Sequence, residues 1–228
     1  MKVIDRRRKL PVHSGKQYRR GGTPEKITIH HSATAAGSAE RFADYHVHTL
    51  GWPGIGYHYV IGKNGTIEKC WDENVITYHT AGFNSGNIGI CLTGNGSFSR
   101  SQLKSLVELT THLKKKYHIP VSRIKGHREW SGQRTECPGM DSEWFREKLR
   151  FLETEPLLKA GMKGPAVRKL QKKLESTGMQ LKRFGADGVY GKETRQAVMN
   201  YQRKRGLMVD GITGPETWRT LLKDTGKG

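Results

Sequence analysis

Three short stretches in the last third of the chain follow one plan: GMKGPAVRKLQ from residue 161, GVYGKETRQAV from residue 188 and GITGPETWRTL from residue 211. Each opens with a Gly-x-x-Gly turn and continues with apolar residues at helical spacing. Glycine accepts the positive φ that such turns require. The glycine pairs 161/164, 188/191 and 211/214 recur at offsets of 27 and 23 residues. Three copies so closely spaced predict a compact three-helix module over residues 157–228 rather than a solenoid. Its expected core is Val167, Leu170, Leu174, Val189, Ala197, Val198, Tyr201, Ile212, Trp218 and Leu221. The module holds no histidine or cysteine, so metal or thiol chemistry is not expected in it.

The residues ahead of it read differently. KITIHHS (26–32) alternates as a strand. AERFADYHVHTL (39–50) has helical spacing, on which His46 and His48 diverge as surface residues. GYHYVIGKNGTIEKCW (56–71) reads as a hairpin joined at Lys63-Asn64-Gly65, where Asn-Gly suits a tight primed turn. NIGICLTG (87–94) is a buried strand and RIKGH (123–127) another. SQLKSLVELTTHLKKKYH (101–118) places leucines at 103, 106, 109 and 113, an amphipathic helix with Ser101 in reach as its N-cap. DSEWFREKLRFL (141–152) is a closing helix capped by Asp141 or Ser142. Strands interleaved with helices predict an α/β domain over residues 1–152, a mixed central sheet flanked by helices. Residues 1–26, with Pro11, Gly15, Gly21, Gly22 and Pro24, read as a basic surface arm, and ETEP (153–156) as the linker to the helical module.

Apolar residues make up 34% of the chain, enough for a core but not a rich one, and no run is long enough to cross a bilayer. Stable membrane insertion is not expected. MKVIDRRRKLPVHSGK has no apolar h-region, so no secretory signal is expected and the chain reads as made and held in the host cytoplasm. A formal net charge of +19, spread over both halves, predicts a polyanionic partner. No helix-turn-helix, zinc finger or aromatic-basic platform points to nucleic acid; bacterial cell wall is a polyanion as well. Three cysteines argue against a disulfide framework. Cys70 and Cys91 sit in strand-like runs as small buried side chains, which leaves Cys137.

Cys137 belongs to GHREWSGQRTECPG (126–139), with His127 ten positions before it. A catalytic zinc site takes three protein ligands and keeps one position open. The third ligand is sought at the end of a neighbouring strand, where ITIHHS offers His30 and His31. Adjacent strand residues face opposite ways, so one of the two is expected to join. An Ile27/Ile29 row facing the core would carry His31 with it, which favours His30.

ITIHHSAT, GIGYHYVIGKNGTIE, HTAGFNSGNIGICLTGN and KGHREWSGQRTECPG fall in the same order as in the zinc N-acetylmuramoyl-L-alanine amidases, a family that includes phage amidase-type lysozymes and peptidoglycan recognition proteins. Roughly residues 25–150 resemble that family. The resemblance implies Zn²⁺ held by His30, His127 and Cys137, and hydrolysis of the amide between N-acetylmuramic acid and the L-alanine of the stem peptide. It implies a catalytic role for Tyr57. It places Thr135 where phage lysozymes carry a catalytic lysine and where active recognition proteins commonly have threonine. His79 matches a histidine lining the substrate cleft, and Phe83, Asn84, Trp52 and Trp130 lie in loops around it. Some related amidases carry a glutamate where Cys91 stands, so the general base is unassigned; Glu129 is a nearby carboxylate whose expected job is structural hydrogen bonding. Residues 157–223 resemble a peptidoglycan-binding module.

The two resemblances together match the layout of phage endolysins and prophage or sporulation autolysins: a bacteriolytic enzyme acting on peptidoglycan, and held by teichoic acids, after the membrane is permeabilised. The alternatives are a recognition protein that binds peptidoglycan without cutting it and a cytosolic muropeptide-recycling amidase. The complete ligand set counts against the first and the basic wall-binding module against the second.

Overall fold

The structure, a computed structural model, describes residues 3–226 apart from the side chain of Glu153. It divides into two compact units, residues 1–149 and 150–228.

The first unit is built on six strands: β1 (Val3–Asp5), β2 (Lys26–His31), β3 (Tyr59–Ile61), β4 (Ile67–Lys69), β5 (Asn87–Leu92) and β6 (Ile124–Gly126). Their order across the sheet is β1-β4-β3-β5-β2-β6. All neighbours are parallel except the β3–β4 hairpin, which pairs Tyr59 with Lys69 and Ile61 with Ile67. Its turn is a five-residue connection in which the Gly62 N–H donates to the Thr66 carbonyl and Gly65 adopts φ 83°, not a two-residue primed turn.

The alternation of β2 and β5 divides the unit chemically. Ile27, Ile29, Ile88, Ile90 and Leu92 face one core, completed by Leu106, Leu109 and Leu113 of α2 (Arg100–Tyr117) and by Phe145 and Leu149 of α3 (Ser142–Thr154). Each such side chain contributes about 1.5–3 kcal/mol of burial. The opposite phase pairs Thr28 with Gly89 and His30 with Cys91. That face packs under α1 (Ala39–Asp44), where Ala39, Ala43, Ile55, Val60, Cys70 and Cys91 form a second cluster.

Several local expectations need correcting. The N-cap of α2 is Ser99, not Ser101. The Ser99 hydroxyl accepts from the Gln102 N–H and the Gln102 side chain accepts from the Ser99 N–H, a reciprocal capping box, while Ser101 already lies inside the first turn. Asp141 caps α3 through Oδ1, which accepts from the Glu143 and Trp144 N–H groups. His46 is buried, because α1 gives way to a wider π-helical turn over Tyr45–Thr49 that rotates its ring inward, where Nδ1 accepts from the Gly56 N–H. His48 stays exposed beside Asp44. The basic arm is not a free strap. Val3–Asp5 pair in register with Ile67–Lys69, and Arg19 and Gly21 bond to the main chain of Ile76 and Asn74. The segment expected as a linker begins inside α3, which runs to Thr154, and Glu155 is buried and ion-paired with Lys169 at 2.5 Å.

The second unit holds α4 (Pro165–Ser176), α5 (Lys192–Lys204) and α6 (Pro215–Thr225), each entered through the second glycine of a Gly-x-x-Gly pair. The first glycines take φ of 90°, 82° and 67°. Eight of the ten residues expected in the core are in it; Val189 and Ile212 are not. The turn places the next residue inward instead, so Tyr190 and Thr213 are buried and joined through the Tyr190 hydroxyl.

Two buried glutamines, Gln171 and Gln202, repeat one device. Gln171 donates to Asp187 Oδ1, the Val189 carbonyl and Thr194 and accepts from the Gly188 N–H. Gln202 does the same with Asp210, Ile212, Thr217 and Gly211. Each helix thereby holds the Asp-Gly turn that leads into the next. Gln202→Leu is expected to cost about 2–4 kcal/mol, because it strands several buried partners at once. Amide exchange should show it, with the Gly211 N–H losing protection and the Gly188 N–H keeping it; equal protection at Gly211 would show that the turn needs no clamp.

Candidate metal centre

The parallel register sets the site. Ile29 of β2 pairs with Gly126 of β6, so the next residue along each strand places His30 beside His127, with ring centroids 4.6 Å apart. The loop that follows β6 folds back through a bond from the Arg128 N–H to the Cys137 carbonyl, 2.8 Å. Gly126 permits the return: a Cβ there would stand 2.7 Å from Pro138 Cδ and 2.5 Å from Ser142 Oγ. Cys137 Sγ comes to 3.6 Å from His30 Nδ1 and accepts the His31 N–H at 3.4 Å. One ligand atom from each of His30, His127 and Cys137 lies within 4.8 Å of the others; His30 and Cys137 are buried and His127 half-buried. His31 faces away from His30, as alternation requires.

The donor set fits zinc. Tetrahedral zinc with ordinary bond lengths to nitrogen and sulfur spaces its donors about 3.3–3.6 Å apart, close to the His30–Cys137 separation. Burial holds His30 well below the ordinary histidine pKa, and the neighbouring His79 and His127 rings reinforce this. Burial lowers His127 too. Both rings are therefore neutral near pH 7, the form that ligates. Burial pushes the Cys137 thiol up to about 11, against the His31 N–H. A cation at this spot is what would favour the thiolate.

Tyr57 lies with its ring centroid 5.3 Å from that of His30. Burial, with Cys91 and Cys137 nearby, raises its phenol well above the ordinary value, so the hydroxyl stays a donor. Thr135 accepts the Cys137 N–H at 3.1 Å, which leaves its own hydroxyl hydrogen to donate elsewhere. Glu129 is held by Gly126 and, through both carboxylate oxygens, by Arg146 at 2.8 and 2.9 Å. Burial works against its ionisation, but these partners hold its carboxyl below the usual range.

The residues expected to line a substrate cleft also make contacts within the protein. His79 is 8% exposed, and both its ring nitrogens are engaged inside the protein. Asn84 uses its side-chain carbonyl to hold the His79 and Thr80 N–H groups. Phe83 packs on Trp130 at 4.9 Å, and Trp52 on His46 at 4.8 Å. Gln133 escaped the sequence reading although it lies within the motif. It donates to the Ala81 carbonyl, which orients its own carbonyl onto His127 Nε2 at 3.0 Å. A lone glutamine in a loop carries no periodic signal.

A sequence model described as N-acetylmuramoyl-L-alanine amidase matches residues 20–140, and one described as a putative peptidoglycan binding domain matches residues 163–221. The amidase CwlL of Bacillus licheniformis is 27% identical over an alignment spanning 86% of this chain and 65% of CwlL, so the chain covers just under two thirds of that relative. The endolysin of Enterobacteria phage T3 is 30% identical over 61% of this chain and 96% of its own length. The solved N-acetylmuramoyl-L-alanine amidase LysC from Clostridium intestinale URNW superposes with a TM-score of 0.58 at 29% identity, covering 66% of this chain and 98% of LysC. The amidase match takes in more than half of the chain and all three donor residues, and on that ground the chain belongs to the N-acetylmuramoyl-L-alanine amidase family.

Proposed function

We propose that the chain is a zinc-dependent N-acetylmuramoyl-L-alanine amidase of the phage lysis type. It hydrolyses the amide between the lactyl group of N-acetylmuramic acid and the L-alanine of the stem peptide. The observation that carries this is the convergence of His30, His127 and Cys137 within 4.8 Å, with His127 only half-buried. A bound zinc ion supplies Lewis acidity toward the amide carbonyl and acidifies water.

The chain's own residues do the rest. The Tyr57 hydroxyl, kept protonated, donates a hydrogen bond to the carbonyl oxygen as negative charge develops there, a bond worth most in a desolvated site. Thr135 supplies a second, neutral donor beside the thiolate. Phe83 and Trp52, each partly exposed, are the side chains that meet the substrate on its approach. Water adds to the carbonyl carbon, the C–N bond breaks, and the products are a lactyl carboxylate and the free amine of L-alanine.

The helical unit reads as the anchor on peptidoglycan, and the net charge of +19 adds attraction to wall carboxylates and teichoic acids that weakens as salt rises. No helix among the described residues is long and apolar enough to cross a membrane. On the phage-lysis reading, the enzyme reaches the wall after the membrane has been breached.

Digestion of purified cell walls tests the reading. Mass spectrometry should find free stem peptides beginning with L-alanine and glycan strands with bare lactyl groups; new sugar reducing ends instead would assign the chain to another class of wall hydrolase. Deleting residues 157–228 is expected to weaken sedimentation with walls by about tenfold or more, through loss of the second attachment. Soluble muropeptide should still be cleaved. Equal sedimentation of the shortened chain would remove the anchoring role.

A further inference from the structure

We propose that His79 is a positioning residue. It accepts the Nε2 proton of His30 and so fixes the Nδ1 lone pair of His30 on the side of Cys137. The inference rests on the reading of His30, His127 and Cys137 as metal donors, and it gives His79 a part distinct from the substrate-binding role that the family resemblance implied.

The chain of bonds begins at a group with no choice. The main-chain carbonyl of Asn87 can only accept, and it lies 3.1 Å from His79 Nε2. That nitrogen therefore carries the hydrogen, and His79 Nδ1 carries the lone pair. Two groups approach the lone pair: the Thr80 hydroxyl at 3.0 Å and His30 Nε2 at 3.0 Å. A neutral His30 ring meeting an acceptor at Nε2 presents its N–H there, which leaves Nδ1 unprotonated. Nδ1 is the atom 3.6 Å from Cys137 Sγ. One backbone carbonyl on β5 thus decides, through two rings, which nitrogen of His30 is free to ligate.

The fold is shaped to hold His79 in this role. Its ring stands edge-on to that of His30, with centroids 5.1 Å apart and planes at 88°. It lies over Gly89 of β5, where a Cβ would come within 2.8 Å of His79 Cγ and 2.9 Å of Cδ2. The loop behind it is tied by the His79 and Thr80 N–H groups, which donate to Asn84 Oδ1 at 3.0 and 2.7 Å. His30 is 1% and His79 8% exposed, so water does not compete for these bonds. A second partner of this kind sets both the ring orientation and the basicity of a metal-bound imidazole.

The test uses the full chain and two readouts besides turnover. Long-range ¹H–¹⁵N correlation on the metal-free protein reads the His30 tautomer directly, with Nε2 protonated and Nδ1 bare as the expected result. Competition with a chelator reads zinc affinity. His79→Leu is expected to weaken zinc binding by about 10–100-fold. His79→Gln, whose amide can accept from His30 and donate to Asn87, restores most of the loss. Gly89→Ala, which alters no hydrogen-bonding group, weakens zinc in the same direction by displacing the ring. A proton on His30 Nδ1 in the wild type overturns the proposal, and so does a folded His79→Leu variant that binds zinc as tightly as the wild type. Should His79→Leu fail to fold, Gly89→Ala and the wild-type spectrum decide. A wild type that binds no zinc removes the metal-centre reading, while the His30 tautomer still decides the part played by His79.

Discussion

Replacing Cys137 by alanine is expected to strip the protein of zinc and of wall-lytic activity together. The purified wild type should carry close to one equivalent of zinc, and the variant little or none after dialysis. Loss of an outer partner alone costs a metal site about 10–100-fold in affinity or activity; removing the only thiolate among three donors should cost more than about 100-fold. Added EDTA should bring the wild type to the same low activity. The substitution leaves the rest of the loop anchored, because the Arg128 bond goes to the main-chain carbonyl of residue 137 rather than to sulfur. Circular dichroism should therefore stay near wild type, and the melting temperature should match that of the zinc-stripped wild type. A Cys137→Ala protein that keeps both its zinc and its activity would end the proposal that these three side chains form the catalytic centre.

Tyr57→Phe is expected to separate binding from turnover. The hydroxyl is not among the three donors, so zinc content should not change. What is lost is one preorganised hydrogen bond to the developing oxyanion. In comparable sites that costs about 10²–10³ in kcat, or about 2.7–4 kcal/mol, with KM little altered. The ring remains and still packs beside His30 and His46, so stability should shift little. Turnover within about twofold of wild type, far short of what a lost oxyanion donor costs, would mean that Thr135 or the metal alone carries the charge, and the assignment of Tyr57 would fail.

Much of the first unit was legible because strands announce themselves with a period of two. That period put Ile27 and Ile29 on one face and His30 on the other, and β2 divides in this way. Five of the six strands and the helical second unit follow from the same local patterns, whereas β1 lies in the segment read as a surface arm. What the sequence did not disclose depends on contacts that periodicity does not encode. His46 turned inward because a helix widened by one residue. Val189 and Ile212 yielded their core positions to Tyr190 and Thr213 because the turn, not the helix, sets the phase there. The Ser99/Gln102 capping box was written in the sequence as Ser-x-x-Gln and was passed over for the nearer Ser101. The His79 and Gln133 contacts join loops across the sheet, and no spacing rule reaches them.

The short pairing of Val3–Asp5 along β4 has a consequence for solubility. Without it, the outer side of the hairpin would offer a row of unpaired amides and carbonyls to any extended peptide, including another copy of the same chain. With it, the exposed border of the sheet is three residues long and is followed at once by Arg6, Arg7 and Arg8. A border so short, and ended by Arg6 and Arg7 held in ion pairs with Glu40, Glu68, Asp5 and Asp72, is a poor template for cross-β stacking. A sheet edged in this way offers a second copy of the chain little to pair with.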